Sequence, residues 1–319
     1  MDTQTNHFAF LFPGQGSQAV GMGKALAESY PSAKALFDRA DDLLGFSLSR
    51  LAWHGPEDEL NDTANTQPAL YVHSYAVYQV LAEVRPELQP AYLAGHSLGE
   101  FTALAAAGAF SFEDGLKLVR TRGELMRQAG EQNPGRIAAV LGLEIEQLES
   151  ITREASSTDE PVAIANDNCP GQVVISGASA AVDRAVELAK QAGAKRALPL
   201  NVSVAVHSSL MSQAQAGLQQ AAAGIEIGSP SPAVIGNASA QPLADRQAVE
   251  EEIRLQLTSR VRWTESMQYL LSHGVRQFLE LGSGSVLAGL IRRIDRTAAQ
   301  ISLGSPEDFD ALAAWLEND

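Results

Sequence analysis

One cysteine, Cys169, in 319 residues excludes an internal disulfide and any metal site built on several thiolates. That scarcity fits a reducing compartment. Positive charge is short as well: 23 Lys and Arg stand against 38 Asp and Glu, a formal net charge of −15. Nucleic-acid binding needs a basic field facing the phosphates, so no nucleic-acid partner is expected, and any acidic partner would need a local basic patch. No apolar run approaches the ~20 residues of a membrane span. Met1-Asp2-Thr3-Gln4-Thr5-Asn6-His7 lacks the basic start and apolar core of a signal segment. A cytoplasmic protein with no membrane partner is the expectation. The length still allows a large core, in one large domain or two modest ones.

What the chain does have is Gly95-His96-Ser97-Leu98-Gly99, which follows the apolar run Ala91-Tyr92-Leu93-Ala94 and leads into an alanine-rich stretch ending at Gly108. Strand, tight turn and glycine-closed helix form the pattern of a nucleophile elbow. Glycines two residues either side of the serine let strand and helix approach while the serine sits on a strained turn with its hydroxyl free. The first N–H groups of the helix lack partners and favour negative charge developing beside the serine. Ser97 is the candidate nucleophile.

Upstream, Phe8-Ala9-Phe10-Leu11-Phe12 is a continuous apolar run ending at Pro13, as in a strand buried on both faces of a parallel sheet. Gly14-Gln15-Gly16-Ser17-Gln18-Ala19 and a helical stretch to about Tyr30 follow. The GxGxxA match suggests a dinucleotide loop, but that fold needs a second strand ending in an acidic residue about 20 residues on. Residues 32–44 read instead as an amphipathic helix. Loops at the carboxyl ends of parallel strands form the cleft, so Gln15, a neutral amide donor between two glycines, is a candidate oxyanion contact. Residues 65–81 read as a long apolar helix in which His73 is structural.

Ser111-Phe112-Glu113-Asp114 reads as the capped start of another helix. Glu113, Lys117, Arg120, Glu124 and Arg127 make its charged stripe, and Gly115, Leu118, Leu125 and Ala129 an apolar one. Arg122 falls on the apolar stripe. A guanidinium there is costly without an acceptor, and its planar fork suits a bidentate carboxylate. A ligand carboxylate, a protein Asp or Glu, or snorkelling to solvent would each satisfy it. Arg122 is the specificity candidate.

Asn133-Pro134-Gly135 breaks that helix. Strands over 136–141, 162–165, 172–176 and 196–200, with helices over 146–155 and 180–193, give the β-α-β-β-α-β order of a ferredoxin-like unit. Residues 133–201 therefore read as a small domain inserted into a discontinuous large one, 1–132 and 202–319. Between two of its strands, Asn166-Asp167-Asn168-Cys169-Pro170-Gly171 reads as a turn carrying a packed thiol. Ser203-Val204-Ala205-Val206 reads as a strand with His207 just beyond it. Among six histidines, His7 lies in the tail, His54 in a loop, His73 on a helix and His273 at a helix end, while His96 adjoins the serine but projects differently. His207 is the best-placed general base. Val234-Ile235 and residues 275–281 read as further strands, and Gly282-Ser283-Gly284-Ser285 opens a terminal helix.

In order along nearly the whole chain, Phe12-Pro13-Gly14-Gln15-Gly16-Ser17-Gln18, Thr66-Gln67-Pro68-Ala69, Gly95-His96-Ser97-Leu98-Gly99-Glu100, Arg122-Gly123, Asn168-Cys169-Pro170-Gly171-Gln172, His207 and Gly282-Ser283-Gly284 stand together. This set resembles the malonyl-CoA:acyl-carrier-protein transacylases of fatty-acid synthesis, including the acyltransferase domains of polyketide synthases. The resemblance implies an α/β fold class: a large α/β-hydrolase-like domain with a mostly parallel sheet, plus an inserted small ferredoxin-like α+β domain. It implies Ser97 as acyl-accepting nucleophile, His207 as base, Gln15 and the Leu98 N–H as oxyanion donors, and Arg122 as partner of the malonyl carboxylate. Gln256 matches the position whose segment orients the histidine. Malonyl-CoA and phosphopantetheinylated acyl carrier protein are the implied partners, with no tightly bound cofactor, no metal and a monomeric chain. Lys195, Arg196, Arg292, Arg293 and Arg296 are candidates for contact with CoA phosphates or the acidic carrier. Ala205-Val206, Ser259-Arg260 and Ser283 depart from residues frequent in relatives, and the first pair bears on the choice between malonyl and branched extenders.

Two other classes compete. An α/β-hydrolase-type esterase or thioesterase would order its triad serine, acid, histidine and make His273 the base. A non-catalytic acyl-binding scaffold would need no nucleophile, base and donor set. A transacylase of a polyketide or malonate-decarboxylase pathway shares the same chemistry.

Overall fold

The apolar run at the start of the chain forms β1 (Phe8–Phe12) in the computed structural model, which describes residues 8–200 and 204–317. Its side chains alternate: Phe10 and Phe12 join one apolar core, Ala9 and Leu11 a second on the opposite face. Nine more strands follow: β2 (Tyr92–Gly95), β3 (Gly135–Leu141), β4 (Val162–Cys169), β5 (Gln172–Ala178), β6 (Arg196–Pro199), β7 (Ala233–Ile235), β8 (Pro242–Leu243), β9 (Gln277–Leu281) and β10 (Ala299–Leu303).

They form two sheets. The larger has the order β10-β9-β1-β2-β7-β8 and is parallel except for the β7–β8 pair. The smaller, β4-β5-β3-β6, is wholly antiparallel. It has its own apolar core, in which Val140, Ile164 and Ile175 meet Leu148 and Val182 from two helices, Ile145–Ala155 and Ser179–Gln191. The fold is thus mixed α/β, a mostly parallel sheet joined to a second, antiparallel one. No helix among the described residues is long and apolar enough to cross a membrane.

Two helices bracket the site from one side of the large sheet. The helix Thr63–Val84 starts at Asp62, whose side chain accepts the Ala64 N–H at 2.9 Å. Pro68 inside it has no N–H, which frees the Ala64 carbonyl four residues back, and Arg120 Nη1 fills that vacancy at 2.9 Å. The helix Phe112–Gln132 is capped by Ser111, whose Oγ accepts the Asp114 N–H at 3.1 Å. Its buried face includes Leu118, Met126 and Ala129 together with Arg122.

Four sequence expectations are corrected here. The helical stretch to Tyr30 shrinks to Lys24–Ser29, preceded by turns. Residues 166–169, read as a turn, continue β4, because Asp167 and Cys169 pair with Val173 and Gln172 and Asn166 bridges to Val261. Tertiary pairing overrides the turn preference of Asn and Asp. The helix opened near Ser285, Val286–Ile294, is not terminal, since β10 and the helix Pro306–Glu317 follow. Val204 to Val206 form no strand: Val204 and Val206 pack partly buried against the core, so their alternation reports burial without pairing. Ser203 and His7 lie outside the described residues.

Candidate active site

The elbow sits at the carboxyl ends of β1 and β2, where loops of a parallel sheet form a cleft. Ser97 has φ +51°, a left-handed conformation that costs a non-glycine residue about 1–3 kcal/mol and persists only where surroundings enforce it. The neighbouring glycines are sterically required. A Cβ on Gly99 would lie 2.0 Å from the Phe12 carbonyl oxygen, and one on Gly95 2.0 Å from the backbone of Gly99. The helix Gly99–Ala106 begins directly after Leu98, whose backbone N–H has no acceptor among the described residues.

Ser97 Oγ lies 2.8 Å from His207 Nε2. His207 Nδ1 lies 3.0 Å from the Ser259 carbonyl. A carbonyl can only accept, so Nδ1 carries the proton and Nε2 is the free lone pair facing the serine hydroxyl. The residue is held in a turn at φ +60°, its N–H donating to the Leu257 carbonyl at 2.9 Å. Burial, then the nearby Arg122 and His96 charges, push its pKa down to about 3. The imidazole is neutral, and competent as a base, throughout the physiological range.

That shift has a stability consequence. In the unfolded chain the imidazole titrates near pH 6.5, so below that pH the unfolded state binds a proton that the folded state refuses until about pH 3. The stabilising contribution is complete above about pH 6.5 and is lost as pH falls toward 3. At pH 5 the part already lost amounts to about 2 kcal/mol. Urea melts of the wild type and of His207→Gln at pH 7 and pH 5 are expected to show the wild type losing that much more; parallel losses would contradict the neutral, buried imidazole.

Arg122, only 1% exposed, turns its guanidinium into the same cleft. Nη2 donates to Ser97 Oγ at 3.0 Å, Nη1 to Gln67 Oε1 at 2.7 Å and Nε to Gln256 Oε1 at 3.0 Å. Neither an ion pair with a protein carboxylate nor snorkelling satisfies it: its oxygen acceptors are uncharged. Burial lowers its pKa to about 9, with Glu100 opposing, so it remains a cation at neutral pH. A buried cation with neutral acceptors and one N–H on the Ser97 hydroxyl has the charge and geometry to receive an anion brought beside it.

Gln15 is exposed, and its Oε1 accepts from Thr63 Oγ1 at 2.9 Å. Thr63 Oγ1 in turn accepts from Gln67 Nε2 at 2.9 Å, which links the glycine loop to Arg122. The Gln15 backbone N–H has no acceptor among the described residues. Gln256 does not touch the imidazole through its side chain. Its Nε2 donates to the Ser97 carbonyl at 2.9 Å and its Oε1 serves Arg122, while the segment behind it orients His207 through Leu257 and Ser259.

His96 is half-buried beside the elbow and bonds Asn168 Oδ1 through Nε2 at 2.8 Å, so the small sheet reaches the site there. His73 is structural, with Nε2 on the Gly304 carbonyl at 2.9 Å. His273 is exposed and stacks on Tyr269, which removes it as base of the esterase alternative. Cys169 is buried, and burial pushes its thiol pKa up. Among the described residues no group of three or more His, Cys, Asp or Glu is placed to hold a metal ion.

Sequence reasoning missed Gln67, Ser259, Asn237 and Glu100. Ser259 acts through its carbonyl and leaves no side-chain signature. Glu100 had one: it is a carboxylate in an otherwise apolar helix, buried at 1% exposure, and burial holds its pKa well above the usual carboxylate range. Asn237 had a weaker one, as a polar residue just past a buried strand.

The model of the acyl transferase domain family matches residues 9–304. Malonyl CoA-acyl carrier protein transacylase from Bacillus subtilis (strain 168) is 44% identical over 313 residues, covering 98% of each chain. Its namesake from Escherichia coli (strain K12) is 42% identical over 310 residues, covering 97% of this chain and 99% of that one. Among solved structures, an acyl carrier protein S-malonyltransferase from Vibrio cholerae superposes with a TM-score of 0.93 at 43% identity, covering 96% of this chain and 99% of that one. A malonyl-transacylase in complex with a type II polyketide acyl-carrier protein gives 0.92 at 41% identity, covering 98% and 99%.

Proposed function

The chain belongs to the acyl transferase domain family, and we propose that it moves a malonyl group from malonyl-CoA to the phosphopantetheine thiol of acyl carrier protein through a malonyl ester on Ser97, supplying fatty-acid synthesis. The observation that carries this is the contact of one hydroxyl with both a neutral imidazole at 2.8 Å and a buried arginine at 3.0 Å. A general base there makes the hydroxyl a nucleophile. The arginine selects an acyl group that ends in a carboxylate.

In this reading the malonyl carboxylate takes Arg122 Nη2 away from Ser97 Oγ and frees the oxygen lone pair. Oγ attacks the thioester carbonyl as His207 Nε2 accepts its proton. The oxyanion is met by the N–H groups of Leu98 and Gln15. The tetrahedral adduct collapses, the carbon–sulfur bond breaks, and CoA leaves with the proton from His207. The carrier thiol then gives its proton to His207, attacks the ester and releases Ser97 Oγ, which recovers the proton. The carboxylate also cancels part of the Arg122 field that depresses His207, strengthening the base once substrate is bound. Malonyl-CoA is thus a substrate, and no resident cofactor enters the reaction.

Lys195, Arg196, Arg292, Arg293 and Arg296 are all exposed, and Arg293 bonds Gln172 on the β4–β5 hairpin that reaches His96. We assign this local basic patch to the CoA phosphates and the acidic carrier. We also read the molecule as a large α/β-hydrolase-like domain, 1–132 and 202–319, interrupted by a small ferredoxin-like one, 133–201. The separate core of the small sheet and its β-α-β-β-α-β order support that division. The same reading takes the protein as monomeric and cytoplasmic.

The test is intact mass after mixing with malonyl-CoA, acetyl-CoA or methylmalonyl-CoA, followed by peptide mapping and addition of holo carrier protein. A malonyl adduct on the Ser97 peptide that moves to the carrier thiol is the expected result. Release to water alone would favour a thioesterase, and no adduct would favour a binding scaffold.

A further inference from the structure

The turn after β7 holds the elbow by its backbone, whereas Arg122 meets the Ser97 hydroxyl. Asn237, two residues past β7 and 4% exposed, accepts the Ser97 N–H on Oδ1 at 2.7 Å and donates Nδ2 to the Gly95 carbonyl at 2.7 Å. One planar amide therefore spans the left-handed turn and touches only its backbone. Asn237 is itself fixed: its N–H donates to Glu100 Oε1 at 2.7 Å, and its carbonyl accepts the Arg262 N–H at 2.9 Å. The buried Glu252 carboxylate holds the next two residues through the N–H groups of Ala238 and Ser239. With Gln256 on the Ser97 carbonyl, both backbone polar groups of the nucleophile end on side chains from another part of the chain.

We propose that Asn237 is a positioning residue for acyl transfer, pinning the Ser97 backbone so that Oγ stays aimed between His207 Nε2 and the carbonyl it attacks. The assignment rests on the malonyl-serine reading above. Only an amide offers an acceptor and a donor side by side at this size. Alanine would leave the Ser97 N–H and the Gly95 carbonyl without these partners, and aspartate would turn a second acceptor toward that carbonyl. The strained turn would then relax, and a displacement of about 1 Å at a reacting atom can cost on the order of 100-fold in rate. Arg122 is held by Gln67 and Gln256, so substrate binding should be spared.

Single-turnover acylation by malonyl-CoA, followed by quenched-flow mass spectrometry, separates these effects in wild type, Asn237→Ala and Asn237→Asp. The expected result is a maximal rate constant lowered roughly 100-fold, half-saturation within about two-fold of wild type, and full labelling of every chain at the end. A wild-type rate constant would overturn the assignment. So would a loss confined to half-saturation, or a normal rate in a reduced fraction of chains, which marks a folding role. Should the alanine variant fail to melt cooperatively, the size-matched aspartate decides by the same readings. Wild type that takes no malonyl group would overturn the acyl-transfer reading and this assignment with it.

Discussion

Ser97→Ala is expected to lower malonyl adduct formation by at least about 10⁴-fold, the scale on which removing a nucleophile acts. Nothing else in the cleft can replace it. The His207 Nε2 lone pair is free, but its ring is fixed at its other edge by the Ser259 carbonyl and it faces Oγ. The one thiol, Cys169, is buried and disfavoured as a thiolate. Alanine keeps the left-handed backbone and its bonds to Asn237 and Gln256, so the fold should survive. Intact mass after minutes with malonyl-CoA, paired with a melting curve, checks both statements. A persisting adduct on a folded Ser97→Ala protein would move the nucleophile elsewhere.

Arg122→Ala should separate substrates. Malonyl transfer is expected to fall roughly 10²- to 10⁴-fold, because deleting one partner of a buried charge pair costs about 3–5 kcal/mol. Acetyl transfer, which presents no carboxylate, should change by less than about ten-fold. The substitution also leaves the Gln67 and Gln256 carbonyl oxygens without their donor, so some stability loss is expected and must be measured. The acetyl rate in the same preparation is the internal control, since both acyl groups use Ser97 and His207. Equal losses would remove the carboxylate-binding role, and a loss larger for acetyl would reverse it.

The elbow was legible because its requirements are local. A buried strand, two glycines that cannot bear a Cβ and a helix start are all written within residues 91–108. Arg122 was legible for a related reason: helical periodicity shows which face it shares, and a charge on an apolar stripe demands an acceptor. That stripe left open whether the acceptor was a ligand or a protein carboxylate. The fold answers by giving it neutral amides and the serine hydroxyl.

His207 was chosen for a false reason, as the residue beyond a strand that does not form. The fold nevertheless brings its Nε2 to 2.8 Å from Ser97 Oγ, a reach that chain position alone cannot measure. Gln256 was expected to orient the histidine through its segment; its backbone meets the imidazole, while its side chain serves the arginine and the serine backbone. Residue type told that an amide was present, while the choice among its partners depended on packing.

The sequence by itself determined the chemistry available: one serine on a forced turn, one misplaced arginine and six histidines. Only the tertiary structure decided which of these groups meet. Ser97, Arg122, His207, Asn237 and Gln256 come from segments up to 159 residues apart, and their contacts fall within 3.0 Å. Local propensity and periodicity carry no information about such closures, because hydrogen bonds across them form only after the sheet and its helices have fixed where each backbone runs.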